Sequence, residues 1–304
     1  MIHSLDELKT KQSTQENKFI PQIAVIGGGI MGQGIAQTAS SNGIEVILVE
    51  KNEKLAEVAL KHLESSMNQE IERWSLTIGE KKSIMSRIKT TGKIEDAAHC
   101  PIIIEAINED FGLKKRLFHL LDQACDPSTV IVSNTSTLNL TKLADETNRP
   151  DRVIGMHFLN PVPKIPLVEL IRAMKTSDET FTMVKEFAEN QLGKKVVEVF
   201  EYPGFVTTRV IIPMINEAMQ VFSEGIATAE GIDTAMKLGY GFQTGPLALA
   251  DMMGLDDVLM WMEQLWQQLG EPKFRPAPVL RRMVREGKLG KKSGEGFFKY
   301  EEEK

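Results

Sequence analysis

Cysteine is almost missing from this chain of 304 residues: Cys100 and Cys125 are the whole complement. Two thiols build no disulfide framework and no metal-ligand cluster, so no metal is expected. They read as small buried hydrophobes in a reducing, cytoplasmic setting. Long apolar runs are missing too. None approaches the roughly 20 residues of a membrane-spanning helix, and no membrane partner is expected. An excess of positive charge is also absent. Lys and Arg number 36 against 42 Asp and Glu, a formal charge of −6, which argues against nucleic acid as the main partner. Residues 1–18 are polar and mixed in charge, with Asp6, Glu7, Lys9, Lys11, Glu16 and Lys18. They lack the apolar core of a signal peptide and are expected to form a flexible tail. What remains, 42% hydrophobic and 26% charged residues, is the balance of a soluble globular protein of one large or two ordinary domains.

The richest stretch is 23–43, taken together with Glu50. An apolar run, Ile23 to Ile26, meets Gly27, Gly28 and Gly29; Gly32 follows, and then a helix-forming segment. Gly27, Gly29 and Gly32 satisfy the G-x-G-x-x-G spacing. The first makes a tight turn after a strand, the second lets backbone approach a pyrophosphate, and the third lets helix pack closely on sheet. A helix starting here offers unpaired N–H groups to an anion. A second apolar run, Val46 to Val49, ends in Glu50. A carboxylate about 20 residues past the loop is placed to accept from adenosine ribose hydroxyls. The combination predicts a dinucleotide site.

Strand-like runs are expected at Gln22–Ile26, Glu45–Val49, Ile102–Ala106, Val130–Ser133, Val153–His157, Leu167–Ile171 and Lys195–Phe200. Helical patterns lie at Met31–Asn42, Glu53–Leu76, Lys81–Ile88, Leu113–Ala124 and Thr180–Leu192. This alternation predicts a doubly wound, mainly parallel α/β sheet over residues 19–201, with parallel order holding least well at the late strands. The texture changes at Tyr202-Pro203-Gly204. Residues 202–304 read as an all-α domain with helices at Val206–Ser223, Ala229–Leu238, Pro246–Met253, Leu255–Leu269 and Ala277–Glu286, and one strand at Gly296–Tyr300. Pro213 falls inside the first helix and is expected to bend it. The Met-rich helices, and the cluster Met260, Trp261, Leu265 and Trp266 in particular, point to a subunit interface and a homodimer.

Three segments end strand-like runs and bring polar groups to one sheet edge. They are Ser133-Asn134-Thr135-Ser136, the stretch from Met156 to Pro163 around His157, and Leu167-Val168-Glu169-Leu170. Glu169 lies on an apolar run, and a buried carboxylate there needs a partner. A histidine oriented by a buried carboxylate keeps one tautomer and can hold a proton taken from an alcohol. Ser136 is placed to hydrogen-bond the same substrate oxygen. A buried histidine satisfied by backbone is the plainer alternative.

With these residues in place, the chain closely resembles the 3-hydroxyacyl-CoA dehydrogenase family, including bacterial 3-hydroxybutyryl-CoA dehydrogenases. The resemblance runs from Val25 to Tyr300. It rests on Gly29-Ile30-Met31-Gly32, Glu105-Ala106-Ile107, Ser133-Asn134-Thr135-Ser136, His157-Phe158-Leu159-Asn160-Pro161, Pro203-Gly204-Phe205, the stretch from Ile232 to Gly239, and the stretch from Gly290 to Gly296. It implies a Rossmann-like domain, a helical dimerisation domain, NAD as cofactor, and reversible oxidation of a 3-hydroxyacyl thioester to the 3-ketoacyl thioester. By the same resemblance His157 is the general base, Glu169 its orienting partner, and Ser136 the contact to the substrate hydroxyl. Ile30, Met31, Ala106, Glu109, Lys114, Asn160 and Lys292 line the cofactor site beside Glu50, and Ser66 falls near the CoA moiety.

One departure stands out. The family typically reads Pro-Gly-Phe, two apolar residues, then Asn-Arg; here the run is Pro203-Gly204-Phe205-Val206-Thr207-Thr208-Arg209. Thr208 replaces an active-site asparagine and lacks the amide's reach and second donor. An acyl-CoA substrate is the leading expectation. The same chemistry on a short hydroxylated acyl group carried by an acyl carrier protein, as in polyketide extender-unit synthesis, is an alternative that Thr208 leaves open. A non-catalytic NAD-binding protein is the remote alternative, opposed by the intact Ser136, His157 and Glu169.

Overall fold

Strands of four to six residues, most of them joined by helical crossovers, assemble into one eight-stranded sheet. The computed structural model describes residues 19–73 and 75–300; the tail expected at 1–18 lies outside the described residues. In chain order the strands are β1 (Gln22–Ile26), β2 (Glu45–Val49), β3 (Ile88–Thr91), β4 (Ile102–Glu105), β5 (Val130–Ser133), β6 (Val153–Phe158), β7 (Leu167–Arg172) and β8 (Lys195–Phe200). Across the sheet they run β3-β2-β1-β4-β5-β6-β7-β8. Pairing is parallel from β3 to β6, antiparallel between β6 and β7, and parallel again between β7 and β8. The helices α1 (Ile30–Ser41), α2 (Glu53–Glu72), α3 (Ile78–Ser86), α4 (Phe111–Ala124), α5 (Leu140–Ala144) and α6 (Asp178–Glu186) cover the sheet. Alternate residues of each strand serve the two faces. Ile23 and Val25 pack with Ile35 of α1 and Leu63 of α2. Ala24 and Ile26 join the layer of Phe118 and Leu121 from α4 and Leu140 from α5. Strand order reverses at β1, between β2 and β4, which is where a ligand crevice forms in such sheets.

Sequence expectation and structure differ at particular places. β3 and α5 were not anticipated. They are short, and β3, Ile88-Lys89-Thr90-Thr91, lacks the continuous apolar run that marks the equally short β4 and β5. The helix expected at Lys81–Ile88 starts earlier because Thr77 and Glu80 form a capping box, each side chain accepting from the other's backbone N–H. The helix expected at Glu53–Leu76 stops at Glu72, and that at Thr180–Leu192 divides into α6 and a π-helical stretch, Phe187–Gln191.

After Pro203 come α7 (Thr207–Ser223), α8 (Ala229–Tyr240), α9 (Pro246–Met253), α10 (Leu255–Leu269) and α11 (Pro278–Arg285). They enclose a separate core that includes Ile215, Met219, Leu255, Met262 and Phe274. α7 continues on both sides of Pro213. Two expectations fail here. No strand forms at Gly296–Tyr300; only single bridges link Gly290 to Glu295 and Glu295 to Lys299. The reason is Asp251, whose buried carboxylate accepts from the N–H groups of Phe297 (3.0 Å) and Phe298 (2.9 Å) and from the Tyr300 hydroxyl. A side chain, not a neighbouring strand, takes those backbone donors. Leu265 is not on an outer face either: it is fully buried, and Trp261 packs on the same core. None of the described helices is long and apolar enough to cross a membrane.

Candidate active site

The glycine loop lies at the reversal point. Gly27 has φ +104°, and a Cβ there would meet the Ala106 carbonyl oxygen at 2.8 Å, so Ala106 at the end of β4 abuts the loop. A Cβ on Gly32 would stand 1.8 Å from the Gly27 oxygen. Gly29, by contrast, faces open space. It is also the N-cap of α1, and no side chain caps that end, so the first N–H groups, those of Ile30, Met31 and Gly32, point toward the opening. Glu50, just past β2, turns back onto the loop and accepts from Gly28 N–H at 2.6 Å and from Lys51 N–H at 3.0 Å. An uncapped helix end, an unfilled approach at Gly29 and a fixed carboxylate fit the pyrophosphate and ribose of a dinucleotide.

The reversal of β7 creates the second part of the site. In the antiparallel register His157 of β6 stands directly opposite Glu169 of β7, so both side chains leave the same face. His157 Nδ1 lies 2.7 Å from Glu169 Oε2. With Nδ1–H donated to the carboxylate, Nε2 keeps its lone pair, and the Ser136 hydroxyl sits 3.2 Å from it. Glu169 is fully buried. Burial works against its charge, but hydrogen bonds from His157 and Thr207 outweigh it and hold the carboxyl below its ordinary value. The Phe205 ring lies 5.7 Å from the imidazole, and Phe205 adopts a positive φ of 48°, a costly conformation for a side chain of this size.

Ser136 is itself held. Glu109 Oε1 accepts from Ser136 N–H (2.7 Å), Thr137 N–H (3.0 Å) and the Thr135 hydroxyl (2.6 Å). Lys114 lies 3.1 Å from Glu109 and 2.8 Å from Glu105, and is wholly buried between them. Burial opposes its charge, but the two carboxylates outweigh it and push the ammonium above its ordinary value. Glu105 also accepts from Ser133 Oγ at 2.6 Å. In this structure Glu109 and Lys114 therefore brace the loop that carries Ser136. From the helical domain, Gln264 and Gln268 of α10 reach Thr137.

The remaining expected residues are spread more widely. Asn160 is exposed at the end of β6, next to Val162, which packs against Gly34 of α1. Lys292 pairs with Asp256 and Asp257 at the start of α10. Ser66 is exposed on α2, about 20 Å of helical rise from the end near Glu50, and is not brought to the cluster. Thr208 is buried on the first turn of α7. The hydroxyl that reaches Glu169 belongs instead to Thr207, at 2.8 Å, a residue that sequence reasoning missed. The available signal was a hydroxyl residue opening a helix directly after a glycine turn.

Two family models cover this chain. The NAD-binding domain of 3-hydroxyacyl-CoA dehydrogenase matches residues 22–202, and the C-terminal domain of the same family matches residues 204–300. The chain is 50% identical over 283 residues to a probable 3-hydroxybutyryl-CoA dehydrogenase of Bacillus subtilis, covering 93% of this chain and 98% of that one. It is 43% identical to the 3-hydroxybutyryl-CoA dehydrogenase of Clostridioides difficile, covering 92% and 99%. Among solved structures, (S)-3-hydroxybutyryl-CoA dehydrogenase from Ralstonia eutropha superposes with a TM-score of 0.85 at 43% identity, covering 93% of this chain and all of that one.

Proposed function

The chain belongs to the 3-hydroxyacyl-CoA dehydrogenase family, and from that premise we propose a role for each group in its site. It is an NAD-dependent oxidoreductase that interconverts 3-hydroxyacyl and 3-ketoacyl thioesters. The relatives' names favour 3-hydroxybutyryl-CoA as the substrate. The N-terminus of α1 holds the pyrophosphate and Glu50 the ribose hydroxyls, with Ala106 against the same loop. NAD supplies the hydride acceptor. His157 Nε2 takes the proton of the 3-hydroxyl as the carbonyl forms, and returns it in the reverse direction. Ser136 hydrogen-bonds the reacting oxygen. Glu169 orients the imidazole and stabilises its protonated form. Thr208 borders the acyl group.

The observation that carries this reading is the cross-strand pair His157–Glu169, with Ser136 on the far imidazole nitrogen. The test is NADH oxidation driven by acetoacetyl-CoA. His157→Gln is expected to bind NADH like the wild type and to lose turnover by a factor on the order of 10²–10⁴. Near wild-type kcat in that variant overturns the assignment of the base. Turnover of the same acyl group on a carrier protein but not on CoA overturns the assignment of the carrier.

We further propose a homodimer in a reducing, cytoplasmic compartment. Val210, Ile226, Leu238, Tyr240 and Met252 of the helical domain are exposed, and the same domain carries a groove of about 440 Å³ lined by Met214, Val221 and Met236; both support an interface. The two thiols are buried and free, which supports the compartment.

A further inference from the structure

Glu169 accepts four hydrogen bonds, and only one of them comes from His157. The other three come from the start of the helical domain. The N–H groups of Val206 and Thr207 reach Oε1 at 3.0 and 2.8 Å, where the N-terminal end of α7 also favours negative charge. The Thr207 hydroxyl reaches Oε2 at 2.8 Å, and Oε2 is the oxygen that faces His157. Gly204 at φ +77° and Phe205 at φ +48° turn the chain so that these donors converge on one carboxylate.

We propose that Thr207 is a positioning residue that sets the basicity of His157 through Glu169, so that the helical domain completes the catalytic pair. The proposal rests on His157 being the general base. The two backbone donors fix where the carboxylate sits. The hydroxyl does something different, because it shares an oxygen with the imidazole. An oxygen that already accepts from a hydroxyl carries less free negative charge and binds an imidazolium less strongly. Thr207 therefore keeps His157 less basic than an unshared carboxylate would. No other titratable group has a described contact with the pair: β8 presents Val197 opposite Glu169, α7 presents Val206 and Thr207, and Phe205 and Ser136 flank the imidazole. The charges of Glu109 and Lys114 lie behind the Ser136 backbone.

The test is the pH dependence of kcat/KM for oxidation of 3-hydroxybutyryl-CoA, with NADH affinity measured alongside. Thr207→Val keeps the shape and removes the hydroxyl; Thr207→Ser keeps the hydroxyl. The acid limb, where His157 must lose its proton, is expected to move upward in Thr207→Val by about 0.3–1 pH unit. NADH affinity is expected to stay unchanged, and Thr207→Ser to follow the wild type. An acid limb that stays in place in Thr207→Val, or that moves equally in Thr207→Ser, overturns the role of Thr207. Should Thr207→Val fail to bind NADH, Thr207→Ala against Thr207→Ser makes the same comparison. A wild type inactive on this substrate while still binding NADH would instead sink the functional reading on which the proposal stands.

Discussion

Glu50 is fixed before any ligand arrives, because Gly28 and Lys51 donate their N–H groups to its two oxygens. A carboxylate held in place accepts from ribose hydroxyls and repels a 2′-phosphate. NAD is therefore expected to show a higher kcat/KM than NADP, and Glu50→Ser to narrow the gap. Equal values for the two cofactors in the wild type would contradict this. Glu169 makes a separate prediction about acid. Its folded-state pKa lies below the ordinary 4.5, so the stability it contributes is present above about pH 4.5 and is lost as pH falls through the lower folded value. Glu169→Gln has nothing to titrate at this position. Below pH 4.5 its melting temperature is expected to fall less steeply than that of the wild type, and parallel curves would refute the claim.

Among the elements, the brace formed by β4, the start of α4 and the loop after β5 is the most exposed to a single change. Lys114 is buried between Glu105 and Glu109, so Lys114→Met leaves one fully buried and one partly buried carboxylate without their cation. A loss of about 3–5 kcal/mol is expected in denaturant unfolding. Residual activity should fall further than stability explains, because Glu109 then holds the Ser136 loop less firmly. Unchanged stability in Lys114→Met would mean that the pair is dispensable. This brace also shows what a sequence makes legible. β1, the glycine loop and α1 were readable because each is encoded within a few residues: an apolar run, glycines where a Cβ would collide, and a helix start. His157 and Glu169 were readable as an apolar strand end and an out-of-place carboxylate. The capture of Ser136 by Glu109 was not, since no local pattern announces which backbone a carboxylate will reach. Thr207 carries a local signal, a hydroxyl residue opening a helix after a glycine turn, but nothing local names Glu169 as its partner. The strand expected at Gly296–Tyr300 was lost to Asp251, which lies 46 residues before Phe297 in the chain.

For the molecule as a whole, the outward apolar residues of α7, α8 and α9 carry the prediction of assembly. Leu238 and Tyr240 are 83% and 77% exposed, two large apolar side chains at one end of α8. Sedimentation at micromolar concentration is expected to give twice the chain mass, and Leu238→Glu to shift it toward one chain while NADH still binds. A single-chain mass for the wild type would rule the dimer out.

The reach of α10 back to Thr137 has a consequence in time. Gln264 and Gln268 meet that loop across 127 and 131 residues of chain, whereas the glycine loop and Glu50 are only 22 apart. Contacts between distant segments tend to close later in folding, because a longer loop costs more chain entropy to close. On dilution from denaturant, NADH fluorescence enhancement should return first and turnover should follow after a lag. During that interval the protein would hold its cofactor with the proton-transfer groups not yet assembled. Simultaneous recovery of binding and turnover would show that the two halves of the site form in one step.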